Sequence, residues 1–374
     1  MGIGNKVESI GDQAFYDCDG LGSVVIPSSV KSIGNEAFHY CSNLVSVTIN
    51  SSKVESIGTS AFAGCAKLAN INIPNSVTSI GYGAFLDCAA LTRIAIGTKV
   101  ASIGNDTFRN CTGLTSVFIP SNVTSIGLTA FSGCTGLASV EIGNGLKSIS
   151  EDAFSGCNSL TSATCPTIAI PAIPKESLQA IVITSGNGIS SRAFFECSSL
   201  ESVMIYDGVA TIGDSAFDGC SSLATVRIPG SITYIGSSAF QNCSSLTSVV
   251  IPDNAERVAS ISGGAFFGCN GLTSVKLGEG VESISLSTFA NCTSLTEVVI
   301  PNSIKSMGFE SFNNCPITRA ELPTQAISAI PKVSLQEVVI TSGDEISSEA
   351  FKGCASLASV VILDSVESIG DYAF

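Results

Sequence analysis

Tryptophan is absent from the 374 residues, methionine occurs three times and histidine once. A lone histidine, His39, cannot anchor a histidine-rich metal cluster. It is also the only imidazole that could activate the many serines as nucleophiles, and no nucleophile-elbow motif accompanies it. Charge is scarce as well: 13% of residues are charged, and 31 acidic against 17 basic residues leave a net charge of −14. That balance lacks the basic stripe that nucleic acid demands, and it disfavours docking on anionic lipid. Long apolar runs are missing although 45% of the chain is hydrophobic. No run approaches the roughly 18 residues needed for direct membrane insertion, so the hydrophobicity is dispersed into a core. The opening MGIGNKVESI has no signal-peptide apolar region. Lys6 stands where an N-myristoylation signal needs Ser or Thr.

What is present is repetition. The stretch from Val123 to Ile142, VTSIGLTAFSGCTGLASVEI, recurs along almost the whole chain. Its phenylalanine returns at Phe15, Phe38, Phe62, Phe85, Phe108, Phe131 and Phe154, then from Phe194 to Phe312, then at Phe351 and Phe374, mostly in steps of 23 residues. A fixed period in the twenties marks a solenoid. Such an array grows without domain boundaries because each coil touches only its neighbours, so residues 1–374 read as one repeat domain.

Within a unit, Leu114, Val117 and Ile119 alternate with small polar residues as in a half-buried strand. Proline often ends the strand, at Pro27, Pro74, Pro120, Pro229, Pro252 and Pro301, because it cannot donate to a ladder. A second short apolar pair, Val123 and Ile126, is closed by Gly127, where the chain is expected to turn. Ala130, Phe131 and Cys134 then stand at offsets that share one face of a helical turn. Each coil is expected to run strand, turn, short extended piece, short helix. Counting on the strand leucine from Leu21 to Leu357 gives 16 coils.

Two coils are short. Leu160 to Leu178 and Ile317 to Leu335 each span 18 residues, with no room for the Phe–Cys helix. Their segments, IPAIPKESLQAIVITSGNGIS (170–190) and ISAIPKVSLQEVVITSGDEIS (327–347), match each other 157 residues apart, so a longer duplication overlies the repeat. Insertions at 51–53 and 254–259 are expected, with the short coils, to bend the array or place a loop at its edge. The repeat already runs at Val7 and stops at Phe374 in mid-unit. Without the polar caps that solenoids need, the chain reads as a piece of a longer protein.

Fifteen cysteines raise the question of disulfides. Fourteen stand three residues after the repeat phenylalanine, from Cys18 to Cys354, and the fifteenth, Cys165, takes a strand Ile position. Side chains in one column point the same way, which suits bridge geometry poorly. Buried cysteine behaves as a small hydrophobe, and no Cys-x-x-Cys pair suggests zinc. The column reads as core filler, which leaves the redox compartment open.

The combination SIG-x-x-AF-x-x-C-x-x-L-x-S-V-x-IP resembles the BspA-like leucine-rich repeats of bacterial and protist surface proteins, over essentially the entire chain. The resemblance implies an α/β repeat solenoid of leucine-rich-repeat type, with a parallel β-sheet on the concave face and short helices or turns on the convex face. It also implies a cell-surface or secreted location and adhesion to host, matrix or cellular partners, and it brings no catalytic residues.

Nothing else in the chain supplies chemistry. His39 reads as an exposed residue of the convex face. The recurrent Ser-Ile-Gly lacks the Gly-x-x-x-x-Gly-Lys pattern of a phosphate loop, and the acidic residues lack a calcium repeat. Asn-x-Ser/Thr sequons at Asn50, Asn105, Asn110, Asn122, Asn242 and Asn291 read as repeat consensus, since three of them directly precede the column cysteine. No catalytic, cofactor or metal site emerges. Two outward positions per coil remain on the sheet. The first is mostly serine, with Arg93, Glu297, Arg319 and Glu337 as exceptions; the second varies and includes Phe118, Glu141, Met204, Arg227 and Lys276. Exposed aromatic and arginine side chains are the usual interface anchors. The candidate partner-binding residues are therefore Arg93, Phe118, Glu141, Met204, Arg227, Lys276 and Arg319, for a protein or glycoprotein partner. A structural spacer carrying other domains and an intracellular scaffold are the competing readings.

Overall fold

A computed structural model of the chain describes residues 1–50, 52–253, 258 and 260–374. The expected insertions at 51–53 and 254–259 centre on Ser51, residues 254–257 and Ala259, which lie outside the described residues. The chain divides into two compact units, Met1–Leu178 and Gln179–Phe374.

Both units are parallel β-solenoids. A strand follows each of the repeat leucines counted above. In Ser116–Ile119 the residues alternate exposed and buried, Val117 and Ile119 facing in and Ser116 and Phe118 facing out. This strand pairs in parallel with Ser139–Ile142 in the register Ser116↔Ser139 and Phe118↔Glu141. Because the repeat length sets the register, like side chains stack on like, and the apolar set stays inside from coil to coil. Further along each full-length coil comes a two-residue strand; Ser125–Ile126, for example, pairs with its equivalents Ser102–Ile103 and Ser148–Ile149 in a second, narrower sheet.

The expected helix after Gly127 is not formed. Among the described residues there is no α-helix, and the Leu-Thr-Ala-Phe-Ser-Gly-Cys segment is a run of turns. The cause lies in where its N–H groups point. Phe131 donates to the Ala153 carbonyl of the next coil at 2.8 Å, and Gly133 donates to Ser155 at 2.8 Å. The intervening Ser132 donates locally, to Thr129 at 3.0 Å. Every second amide thus leaves the coil, whereas an α-helix would keep all of them along its own axis. This alternation places Thr129 (φ 51°) and Gly133 (φ 74°) in the left-handed region. A residue such as Thr129 pays about 1–2 kcal/mol for that conformation, and the inter-coil hydrogen bonds it permits offset the cost.

The turns carry the core. Phe38 to Phe154 stack in the first unit with centroids 5.0–5.5 Å apart and planes within 17° of parallel, Phe15 extending the row. Phe194 to Phe312 continue the pattern in the second unit at 5.0–5.2 Å. The spacing matches the ~4.8 Å between parallel strands, which forces the rings into offset parallel stacks. Twelve of these rings are fully buried.

The cysteine column is buried along most of its length, no disulfide is formed among the described residues, and only Cys18 is exposed. Its sulfurs do more than fill space. The Phe131 carbonyl accepts the Cys134 N–H at 3.2 Å and also the Cys157 thiol of the next coil at 3.2 Å. The same contact recurs from Cys41 on Phe15 to Cys157 in the first unit and from Cys220 on Phe194 to Cys315 on Phe289 in the second. Burial pushes the Cys65, Cys111 and Cys165 thiols up to about 12.

Two further expectations change. Gly58 in Ser-Ile-Gly does not serve the turn, because its φ is not left-handed; a Cβ there would lie 2.5 Å from the Gly34 and Asn35 backbone of the preceding coil. Close approach of the two chains is what requires glycine. His39 is half-buried rather than exposed, with ring centroids 5.4 Å from Tyr16 and 4.2 Å from Tyr40, and its Nδ1 has no hydrogen-bond partner.

The short coils replace the Phe–Cys turn with 3₁₀ helices, Thr167–Ala172 and Thr324–Ala329, each entered from an extended proline, Pro166 or Pro323. Where the bulkier turn is missing, recesses open. One of about 350 Å³ lies between Glu151–Asn158 and Pro171–Glu176, and one of about 510 Å³ lies between Met307–Asn313 and Ser328–Pro331.

Candidate interaction face

The outward side chains of the long strands form the surface on which the candidate residues lie. In the first unit Arg93, Phe118 and Glu141 occupy three successive strands. Phe118 stands opposite Glu141 on one side and Ala95 on the other. Arg93, two residues before Ala95, is therefore a diagonal neighbour of the ring, within reach of long side chains. Phe118 is 54% exposed. Serines at Ser116 and Ser139 leave the flank of this cluster low and open.

In the second unit Val182, Met204 and Arg227 face one another across three strands. Met204 is 41% exposed. The Arg227 guanidinium donates through Nη1 to the Ile205 carbonyl at 3.1 Å and lies 5.7 Å from the centroid of the Tyr206 ring. Tyr206, itself 46% exposed, belongs to this cluster and is not among the residues chosen from the sequence. It sits where other coils carry the strand-ending proline, outside the two positions that flank the buried valine. An aromatic in place of a repeat proline is the signal that identifies it.

Lys276 and Arg319 lie apart from that cluster, on a six-stranded sheet that begins at Ser248–Ile251. Both already have carboxylate partners. Lys276 reaches Asp253 at 4.0 Å. Arg319 pairs with Glu321 at 2.7 Å and with Glu297 at 3.6 Å, and the Glu321 hydrogen bond raises its pKa further. Register sets Glu297 and Glu337 on either side of Arg319. Arg93 and Arg227, by contrast, have no carboxylate within ion-pair distance among the described residues.

Among the described residues no three of His, Cys, Asp and Glu converge as a metal-binding group would. The buried thiols are held protonated inside the core, which makes them poor nucleophiles. No helix among the described residues is long and apolar enough to cross a membrane.

Stacked parallel coils, each contributing one leucine-led strand and one Phe–Cys turn, define a leucine-rich-repeat solenoid. The model of the BspA type leucine rich repeat region matches residues 1–115, 101–182, 167–270 and 259–374, so the chain belongs to that family. Among solved structures, a leucine-rich repeat protein from Bacteroides ovatus is 27% identical; the match covers 87% of each chain, with a TM-score of 0.43. A leucine rich cell surface protein from Faecalibacterium prausnitzii is 31% identical over 79% of this chain and 86% of that one, again with a TM-score of 0.43. No curated protein sequence matches the chain.

Proposed function

We propose that the chain is a non-enzymatic binding module of a cell-surface or secreted protein, engaging a protein or glycoprotein partner through the outward face of its long-strand sheets. The observation that carries this reading is the pair of exposed clusters, Arg93–Phe118–Glu141 and Met204–Tyr206–Arg227, standing among rows of serine and other small residues. A face with no other role would keep the small polar residues of the repeat, since exposed large apolar groups favour association. The repeat family and the F. prausnitzii relative, described as a cell surface protein, support the location.

The test presents the purified chain to immobilised matrix glycoproteins and to epithelial cells, beside a variant carrying Phe118→Ser, Met204→Ser and Arg227→Ser. The expected result is saturable binding that falls at least tenfold in the variant while its unfolding midpoint stays the same. Binding that is absent, or that survives the three changes intact, contradicts the reading.

A further inference from the structure

We infer that the row Val182–Met204–Arg227, with Tyr206 beside it, docks an acidic extended segment of a partner protein, with a carboxylate on Arg227 and an apolar side chain against Met204 and Tyr206. The inference rests on the sheet face being a binding surface and adds the chemistry of what binds there. Its first support is charge. In a chain of net charge −14, two outward cations of the neighbouring six-stranded sheet are neutralised locally, Lys276 by Asp253 and Arg319 by Glu297 and Glu321. Arg227 is exposed and has no such partner among the described residues. A planar guanidinium recognises a carboxylate bidentately and repels a basic segment.

The second support is order. The contacts of Arg227 with the Ile205 carbonyl and the Tyr206 ring hold its side chain over the sheet before any ligand arrives. A preset side chain loses less rotamer freedom on binding than a waving one. The third is the apolar neighbourhood. Met204 and Tyr206 are both exposed beside the arginine, while the adjoining outward row is small, Ala180, Ser202 and Thr225. Small residues leave room for a ligand backbone to lie alongside. In an extended peptide, side chains two residues apart are separated by about 6.6 Å. That is close to the 5.7 Å between the Arg227 guanidinium and the Tyr206 ring. An acidic residue two positions from a leucine or phenylalanine therefore meets both groups at once.

The chain carries its own reporter, because its three methionines are Met1, Met204 and Met307. The full chain, labelled with ¹³C at the methionine methyls, is titrated with a blocked ten-residue peptide, TDTLTDTFTD, and with its counterpart in which lysine replaces every aspartate. The expected result is a saturable shift of the Met204 methyl with the acidic peptide alone, Met307 remaining still. Affinity should fall at least tenfold in Arg227→Gln, whose unchanged Met1 and Met307 signals report an intact fold, and should weaken in high salt. A Met204 shift that is equal for both peptides, or indifferent to Arg227→Gln, overturns the acidic partner while the sheet face keeps its binding role. A Met204 methyl unmoved by either peptide at millimolar concentration overturns the inference, and loss of partner capture in the single variant Phe118→Ser would then keep the broader reading alive. Failure of both measurements removes both.

Discussion

Replacing Phe108 by alanine should unfasten the array locally, and the structure allows the size of the effect to be worked out. Its ring is fully buried, with Phe85 at 5.3 Å on one side and Phe131 at 5.1 Å on the other. Truncating a buried phenylalanine to alanine costs about 3–5 kcal/mol through lost burial and the cavity left behind. Two stacking contacts, each worth about 0.5–1.5 kcal/mol beyond area, place this site at the upper end of that range. Collapse is also hindered, because the neighbouring rings are held by inter-coil hydrogen bonds, Phe85 N–H to Thr107 at 2.9 Å and Phe131 N–H to Ala153 at 2.8 Å. Stability in a solenoid is a sum of coil and nearest-neighbour terms, so the damage should stay close to its origin. Amide hydrogen exchange is the assay. Protection should fall by about three orders of magnitude or slightly more, at about 1.4 kcal/mol per factor of ten, at Phe85, Phe108 and their partners, and should recover towards Val30 and the strand Ser23–Ile26. Phe118→Ala, on the outward face of the same coil, should change exchange little, as exposed substitutions stay within about 0.5 kcal/mol. Equal effects at Phe108 and Phe118 would refute the division into a buried ladder and a free face.

Three further outcomes follow from the same contacts. Burial raises the thiol pKa values in the folded chain while an unfolded thiol titrates near ~8.5, so thiol stabilisation is complete below that pH and is lost as pH rises towards the folded value of about 12 at Cys65, Cys111 and Cys165. The urea midpoint should therefore fall between about pH 9 and 12, at up to about 1.4 kcal/mol per pH unit for each buried thiol, and fall less steeply when Cys111 is replaced by alanine. Native-state alkylation at neutral pH should modify Cys18 first and leave Cys65 to Cys157 untouched, as mass spectrometry of tryptic peptides can show. Gly58→Ala should cost about 1–3 kcal/mol through its clash with the preceding coil, whereas Gly22→Ala, with nothing within 4 Å of the added carbon, should be near neutral in the same denaturation assay.

The strands and the core were legible in the sequence because both obey a short rule. Alternation of period two puts Val117 and Ile119 inside, and an equal step from coil to coil stacks each phenylalanine on its predecessor. The turn misled, because Ala130, Phe131 and Cys134 at their spacing satisfy a helical face and a turn of alternating handedness equally well. The position two residues after the phenylalanine decides between them. In most coils it carries Asp, Asn or Gly, as at Asp17, Gly64, Asp87, Asn110, Gly133, Asn242 and Gly268, residue types that tolerate positive φ, and Tyr40 and Glu196 adopt the same conformation at this position. Of the surface candidates, register alone would have paired Arg319 with Glu297, whereas the hold of Tyr206 on Arg227 depends on where the chain leaves its strand.

The most direct test of the account compares two triple variants in the same partner-capture assay. One changes Phe118, Met204 and Arg227 on the sheet face to serine; the other changes the exposed Tyr16, Tyr40 and Tyr82 on the turn side. Capture should fall at least tenfold in the first and stay unchanged in the second. Capture lost in the second and kept in the first would contradict it.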